Sequence, residues 1–177
     1  MTRRILAFLA LVLFVAGCAA KPPPPPPAAP PPPPGPSPEE IAFREAEIEC
    51  LAQVVYFEAR GESEIGRRAV AAVVMNRVGH DKFPDTICGV VRQGGETPPC
   101  QFSWWCDGQA EKIEEQDAWM DAKRIAREMF EHKHPDPTNG AMYFHRRDTS
   151  PDWMNVFRQT AQIDDHIYYR PVTDDQI

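Results

Sequence analysis

The chain has 177 residues, 42% hydrophobic and 25% charged, with a formal net charge of -7 and twenty prolines. Such a length and apolar content suffice for one folded domain of ordinary size. The acidic balance argues against a nucleic-acid partner, since phosphate backbones are met by clustered lysine and arginine.

In chain order, Thr2-Arg3-Arg4 precedes an apolar run from Ile5 to Ala16 and then Val15-Ala16-Gly17-Cys18. A charged start, a short apolar stretch and small residues before a cut read as an export signal over 1–17, because a permanent span needs about 20 apolar residues. A cysteine directly after Ala-Gly resembles the lipobox of bacterial lipoproteins, so Cys18 is expected to carry lipid. Because Ala19-Ala20-Lys21 contains no acid, similarity to enterobacterial lipoproteins favours the outer membrane. The expected address is the periplasmic face of the envelope.

Residues 18–38 form the next segment, and thirteen of the twenty prolines fall between Pro22 and Pro38. Such a run adopts extended polyproline II at about 3.1 Å per residue, a spacer of roughly 50 Å. The remainder, 39–177, is expected to be the folded domain. Setting aside Arg3, Arg4 and Lys21, its sixteen bases face twenty-six acids, a charge of -10.

Ser37-Pro38-Glu39-Glu40 predicts a helix start with a capping box. Ile41, Ile48, Leu51, Ala52, Val54 and Val55 give that helix an apolar stripe, and Gly61 is expected to end it in the left-handed conformation. Ser63-Glu64 opens a second helix with Ile65, Ala69, Val70, Val73, Val74 and Val78 on one face. From Gly79 to Gly108 the signals are turns, with one short helix near Ile87 to Gln93. A third long helix runs from about Glu114 to His132, with Ala118, Ala122, Ile125, Ala126, Met129 and Phe130 inward, and Pro135-Asp136-Pro137 stops it. Ala141 to His145 and Ile163 to Arg170 read as extended pieces or a small hairpin. The expected fold is mainly α: a helical bundle with a small β-hairpin and a loop-rich groove.

Once Cys18 is assigned to lipid, Cys50, Cys88, Cys100 and Cys106 form an even set in an export context that permits disulfides. Three pairings can be drawn; Cys100 with Cys106 and Cys50 with Cys88 is the expectation. The spacings lack the Cys-x-x-Cys knuckles of zinc sites. His132 and His134 fall at a helix end, where a cation complements the dipole, so no metal is expected. There is no serine nucleophile elbow or phosphate-cradling glycine loop, and no cofactor is expected.

Tyr56-Phe57-Glu58-Ala59-Arg60-Gly61-Glu62 carries the strongest chemical signal. Glu58 lies at a helix C-terminus among Val54, Val55 and Phe57, where the dipole and partial desolvation both disfavour its anion. A carboxylic acid still protonated near neutral pH is what glycoside cleavage needs, since the departing sugar oxygen must receive a proton. The alternative is an ion pair from Glu58 to Arg60 or Arg67 that ties two helices together. Glu62 fits a first-turn charge or a cap better than an acid. Cys100-Gln101-Phe102-Ser103-Trp104-Trp105-Cys106 sets polar groups among aromatics, as sugar sites do. His145 and His166 fit hydrogen bonding within the fold, with His145 a second candidate for the groove edge.

Cys50-Leu51-Ala52 leading into Tyr56–Glu62, Val74-Met75-Asn76-Arg77-Val78, Phe83–Val91, Cys100-Gln101-Phe102-Ser103-Trp104 and Gly140-Ala141-Met142-Tyr143-Phe144-His145 together resemble the cell-wall hydrolase family typified by the spore cortex-lytic enzyme SleB. The resemblance covers about Cys50 to Arg170. It implies a lysozyme-like domain that acts as a lytic transglycosylase on peptidoglycan, between N-acetylmuramic acid and N-acetylglucosamine. By resemblance Glu58 is the catalytic acid, and Gln101, Phe102, Ser103, Trp104, Tyr143 and His145 are groove residues. The alternatives are a water-using muramidase and a peptidoglycan-binding lipoprotein without activity. A monomer is expected, with room for a regulatory envelope partner.

Overall fold

The computed structural model describes residues 35–172. The leader, Cys18 and most of the proline run lie outside them.

Helix α1 spans Pro38–Ala59. Its start is the expected capping box: the Glu40 amide donates to Ser37 Oγ at 3.2 Å, and the Ser37 amide donates to Glu40 Oε2 at 2.6 Å. Core contact begins only at Glu47 and Ile48, so the first two turns project into solvent and Ile41 is 48% exposed rather than inward. The helix ends without a left-handed residue. Arg60 stays in the right-handed helical region, and the Glu62 amide reaches Ala59 O at 3.0 Å; Gly61 is therefore a turn residue, not a left-handed cap.

Helix α2 (Glu64–Val78) starts on Ser63, whose Oγ accepts from the Gly66 amide at 3.3 Å. Its buried positions are Gly66, the run Ala69–Val74, and Arg77. Ile65 points away and is 52% exposed, because the inward row descends through 66, 70, 73 and 77. Two short helices follow, α3 (Ile87–Val91) and α4 (Ser103–Cys106); the second lies where only a loop is expected. The buried Glu47 carboxylate accepts from the Ile87 and Cys88 amides at 2.5 and 3.3 Å, which settles the otherwise unpaired donors at the head of α3. Helix α5 is Gln116–Phe130, shorter than expected at both ends. It stops five residues before Pro135, through His132 at φ 54° and a Lys133 amide that returns to Glu128 O.

Strands β1 (Tyr143–Arg146), β2 (Arg158–Ile163) and β3 (His166–Arg170) form an antiparallel sheet in the order β1-β3-β2. The expected stretch Ile163–Arg170 is divided by the turn at Asp164-Asp165, and β2 is a strand that the sequence does not announce. A short 3-10 turn, Asp152–Asn155, precedes it. The main core joins α1, α2, α3 and α5. A second cluster of Ala69, Val73, Ala141 and Tyr168 fastens the sheet to α2. The disulfides are Cys50–Cys88, between α1 and α3, and Cys100–Cys106, which closes around α4. No helix among the described residues is long and apolar enough to cross a membrane.

Candidate active site

Glu58 is the penultimate residue of α1, so its side chain leaves the helix where carbonyls lack partners and the dipole is negative. It is half-buried. Burial pushes its carboxyl pKa above the ordinary 4.5, against a hydrogen bond from Trp104 and the charge of Arg77, which both pull it down. Neither of the alternative ion pairs forms. Arg60 binds Glu115 at 2.8 Å, and Arg67 binds Asp121 at 2.9 Å and Glu62 O at 2.6 Å. The partner of Glu58 is instead the indole of Trp104, whose Nε1 donates to Oε1 at 2.9 Å.

Trp104 is held on three sides. Its ring stacks on Phe57 at 4.8 Å and 26°, lies 6.0 Å from Phe102, and sits inside the loop closed by Cys100–Cys106. Phe57 and Trp104 line a cleft of about 430 Å³ together with Asp107, Gln109, Lys112 and Glu114. That volume and its mix of flat rings with polar groups are within the range of small-ligand sites.

The expected site residues separate by role. Ser103 is exposed, and Gln101 and Trp104 are half-buried, on the segment that faces Glu58. Phe102 is 3% exposed and belongs to the core, so it supports the segment rather than meeting solvent. Tyr143 is half-buried on β1, stacked on Phe157 at 4.3 Å. His145 turns inward: Nε2 lies 3.1 Å from the Tyr169 hydroxyl and Nδ1 2.8 Å from Arg146 O. Both ring nitrogens are thereby taken up inside the sheet. Glu62 does not cap α2; it accepts from the Asp165 amide at 3.2 Å and lies 3.9 Å from the buried His166. Among the described residues no group of three or more His, Cys, Asp or Glu is placed to hold a metal ion.

The sequence pattern of the family described as Cell Wall Hydrolase matches residues 61–169. The chain belongs to the cell wall hydrolase family. It is 33% identical over 127 residues to the spore cortex-lytic enzyme of Halalkalibacterium halodurans, an alignment that covers 71% of this chain and 35% of that relative. The chain thus spans about a third of that relative's length. The catalytic domain of the Bacillus cereus SleB protein superposes with a TM-score of 0.58 at 33% identity, covering 71% of this chain and 91% of that one. The catalytic domain of the germination-specific lytic transglycosylase SleB from Bacillus anthracis gives 0.57 at 33% identity, covering 70% and 93%. These domains share the mainly α fold with a small sheet.

In this cell wall hydrolase domain the family match begins three residues after Glu58, so the role of Glu58 rests on its surroundings. The residue that sequence reasoning passed over is Arg77. It is 3% exposed, donates from Nε to Met142 O at 2.7 Å, and lies among the rings of Phe83, Phe102 and Tyr143. A cation at a position where the α2 stripe demands an apolar residue was the available signal.

Proposed function

We propose that this domain cleaves peptidoglycan glycan strands between N-acetylmuramic acid and N-acetylglucosamine as a lytic transglycosylase, with Glu58 as the catalytic acid and then base. The observation that carries the reading is a half-buried carboxyl at a helix end, its pKa raised by burial, that accepts a hydrogen bond from the Trp104 indole at 2.9 Å. Glu58 gives its proton to the bridging oxygen as the muramoyl C1–O bond breaks. The resulting carboxylate then takes the proton of the muramoyl C6 hydroxyl, whose oxygen bonds to C1 and closes a 1,6-anhydro ring. Water-using glycosidases need a second carboxylate about 5–9.5 Å away. The groups that act on Glu58 here are an indole and a guanidinium. Gln101, Ser103, Trp104 and Tyr143 would line the glycan path, and the names of the SleB relatives support the reaction class.

The domain, 39–177, would work as a monomer from a lipid on Cys18. The spacer from Pro22 to Pro38 would hold it away from the outer membrane, on the periplasmic side. The spore-cortex role of the relatives is not part of this reading. The test is mass spectrometry of sacculi digested by the domain beginning near Ser37. Anhydro-muramoyl ends support the proposal, and reducing muramic ends mean hydrolysis by water. The Glu58→Gln variant should keep its fold and lose lysis; a variant that digests sacculi like the native protein overturns the assignment.

A further inference from the structure

Among the described residues Arg77 is the only arginine or lysine in the buried core, and its Nη1 has no hydrogen-bond partner. A buried cation is costly unless it is compensated. Part of the compensation is visible. Phe83, Phe102 and Tyr143 present their rings at 5.3, 5.6 and 5.9 Å from the guanidinium carbon, and Met142 O accepts from Nε. One of these rings reaches the Glu58 site: Phe102 lies 6.0 Å from Trp104, the indole that donates to Glu58. The carboxyl whose charge acts on Arg77 is Glu58, and burial raises its pKa, so the balance is completed as Glu58 gives up its proton.

We propose that Arg77 is a positioning residue for Glu58: a fixed cation, caged by three rings and tied to β1, that stabilises the carboxylate formed once the proton has been transferred. This rests on the reaction proposed above. Burial lowers the pKa of Arg77 to about 10, with Tyr143 and Glu58 opposing that shift, so it stays charged around neutral pH. Its charge limits how far burial can weaken Glu58 as an acid. The other charged groups nearby lie on the surface: Arg60 and Glu115 are exposed and paired with each other, while Asp107, Glu111, Lys112 and Glu114 line the cleft together with Phe57 and Trp104.

The test compares the full chain as wild type, Arg77→Lys, Arg77→Met and Glu58→Gln, measuring sacculus lysis against pH together with thermal melting. Arg77→Met should lower the plateau rate and move the alkaline limb to higher pH, because loss of the cation raises the proton affinity of Glu58. Arg77→Lys should keep the limb at its wild-type position. An Arg77→Met limb that coincides with wild type, whatever the plateau, assigns Arg77 a purely structural role and overturns the proposal. Should Arg77→Met fail to fold, the neutral but polar Arg77→Gln decides: a limb moved to higher pH supports the role of charge, and a limb at the wild-type position refutes it. A lytic Glu58→Gln is a different result, which fails the proposed reaction itself. Titration of the Glu58 carboxyl by NMR in Arg77→Lys and Arg77→Met still reads the coupling between the two residues in that case.

Discussion

Trp104→Phe isolates the hydrogen bond that aims Glu58. The indole both stacks on Phe57 at 4.8 Å and donates Nε1–H to Glu58 at 2.9 Å. Phenylalanine keeps a ring for the stack and removes only the donor. A hydrogen bond to a charged acceptor contributes about 1.5–3 kcal/mol. Trp104 is half open to solvent, so the lower end applies, about 1.5 kcal/mol or roughly tenfold in rate. The bond favours the carboxylate, so its loss also raises the Glu58 pKa and carries the alkaline limb of activity upward. Initial rates of dye release from labelled sacculi, taken across pH beside a melting curve, measure both effects. The expected outcome is about a tenfold slower enzyme with little change in melting. A variant that lyses as fast as wild type, with its limb unmoved, refutes the view that the indole sets the working geometry of Glu58.

The pH dependence of stability follows from the same carboxyl. The folded protein retains the Glu58 proton above the ordinary value of 4.5, so in that window the native state binds more protons than the unfolded chain and stability falls as pH rises. Glu58→Gln, neutral throughout, should melt above wild type at neutral pH and show no such gain in acid; calorimetry at the two conditions checks it. The two disulfides should separate stability from activity. Removing Cys50–Cys88, with a sequence separation of 38, is expected to cost about 4 kcal/mol in urea unfolding by loop-closure entropy. Removing Cys100–Cys106, with a separation of 6, should cost about 2 kcal/mol yet reduce lysis more, because Trp104 lies within that loop.

Much of the helical body is legible because local chemistry and burial agree there. The capping box at Ser37 and Glu40, the Ser63 cap and the inward rows of α1, α2 and α5 are each written in side-chain types at helical spacing. Departures occur where tertiary contact decides. Ile41 belongs to the apolar period of α1 but lies beyond the reach of the core. On α5 the inward row runs through Trp119, Ala122, Ala126 and Met129, and the T-shaped contact of Trp119 with Tyr56 at 5.8 Å turns it inward where Ala118 is only half-buried. Strand β2, with Arg158, Gln159, Thr160 and Gln162 among its six residues, has no apolar alternation; pairing with β3 makes it a strand. The single turn of α4 is too short for propensity to register and is framed by its disulfide.

The site divides along the same line. Glu58 is legible because its position at a helix end and its apolar neighbours are both local facts, and they predict the direction of its pKa shift. Its partner is not legible. Arg60 and Arg67 are near in sequence and carry the right charge, yet Glu115 and Asp121 on the far side take them, which leaves Glu58 to an indole 46 positions away. Arg77 hides for a related reason: at i+4 from Val73 it satisfies the period of a buried face, so spacing alone reads it as another core position. Its charge contradicts that reading. A buried cation persists only where something nearby answers it, and here the answering groups are a carbonyl, three rings and the Glu58 carboxyl. Burial raises the Glu58 pKa, and burial alone would make a weaker proton donor. The charge of Arg77 pulls the other way, so the two opposing influences on one carboxyl are what the Arg77→Met pH profile would separate.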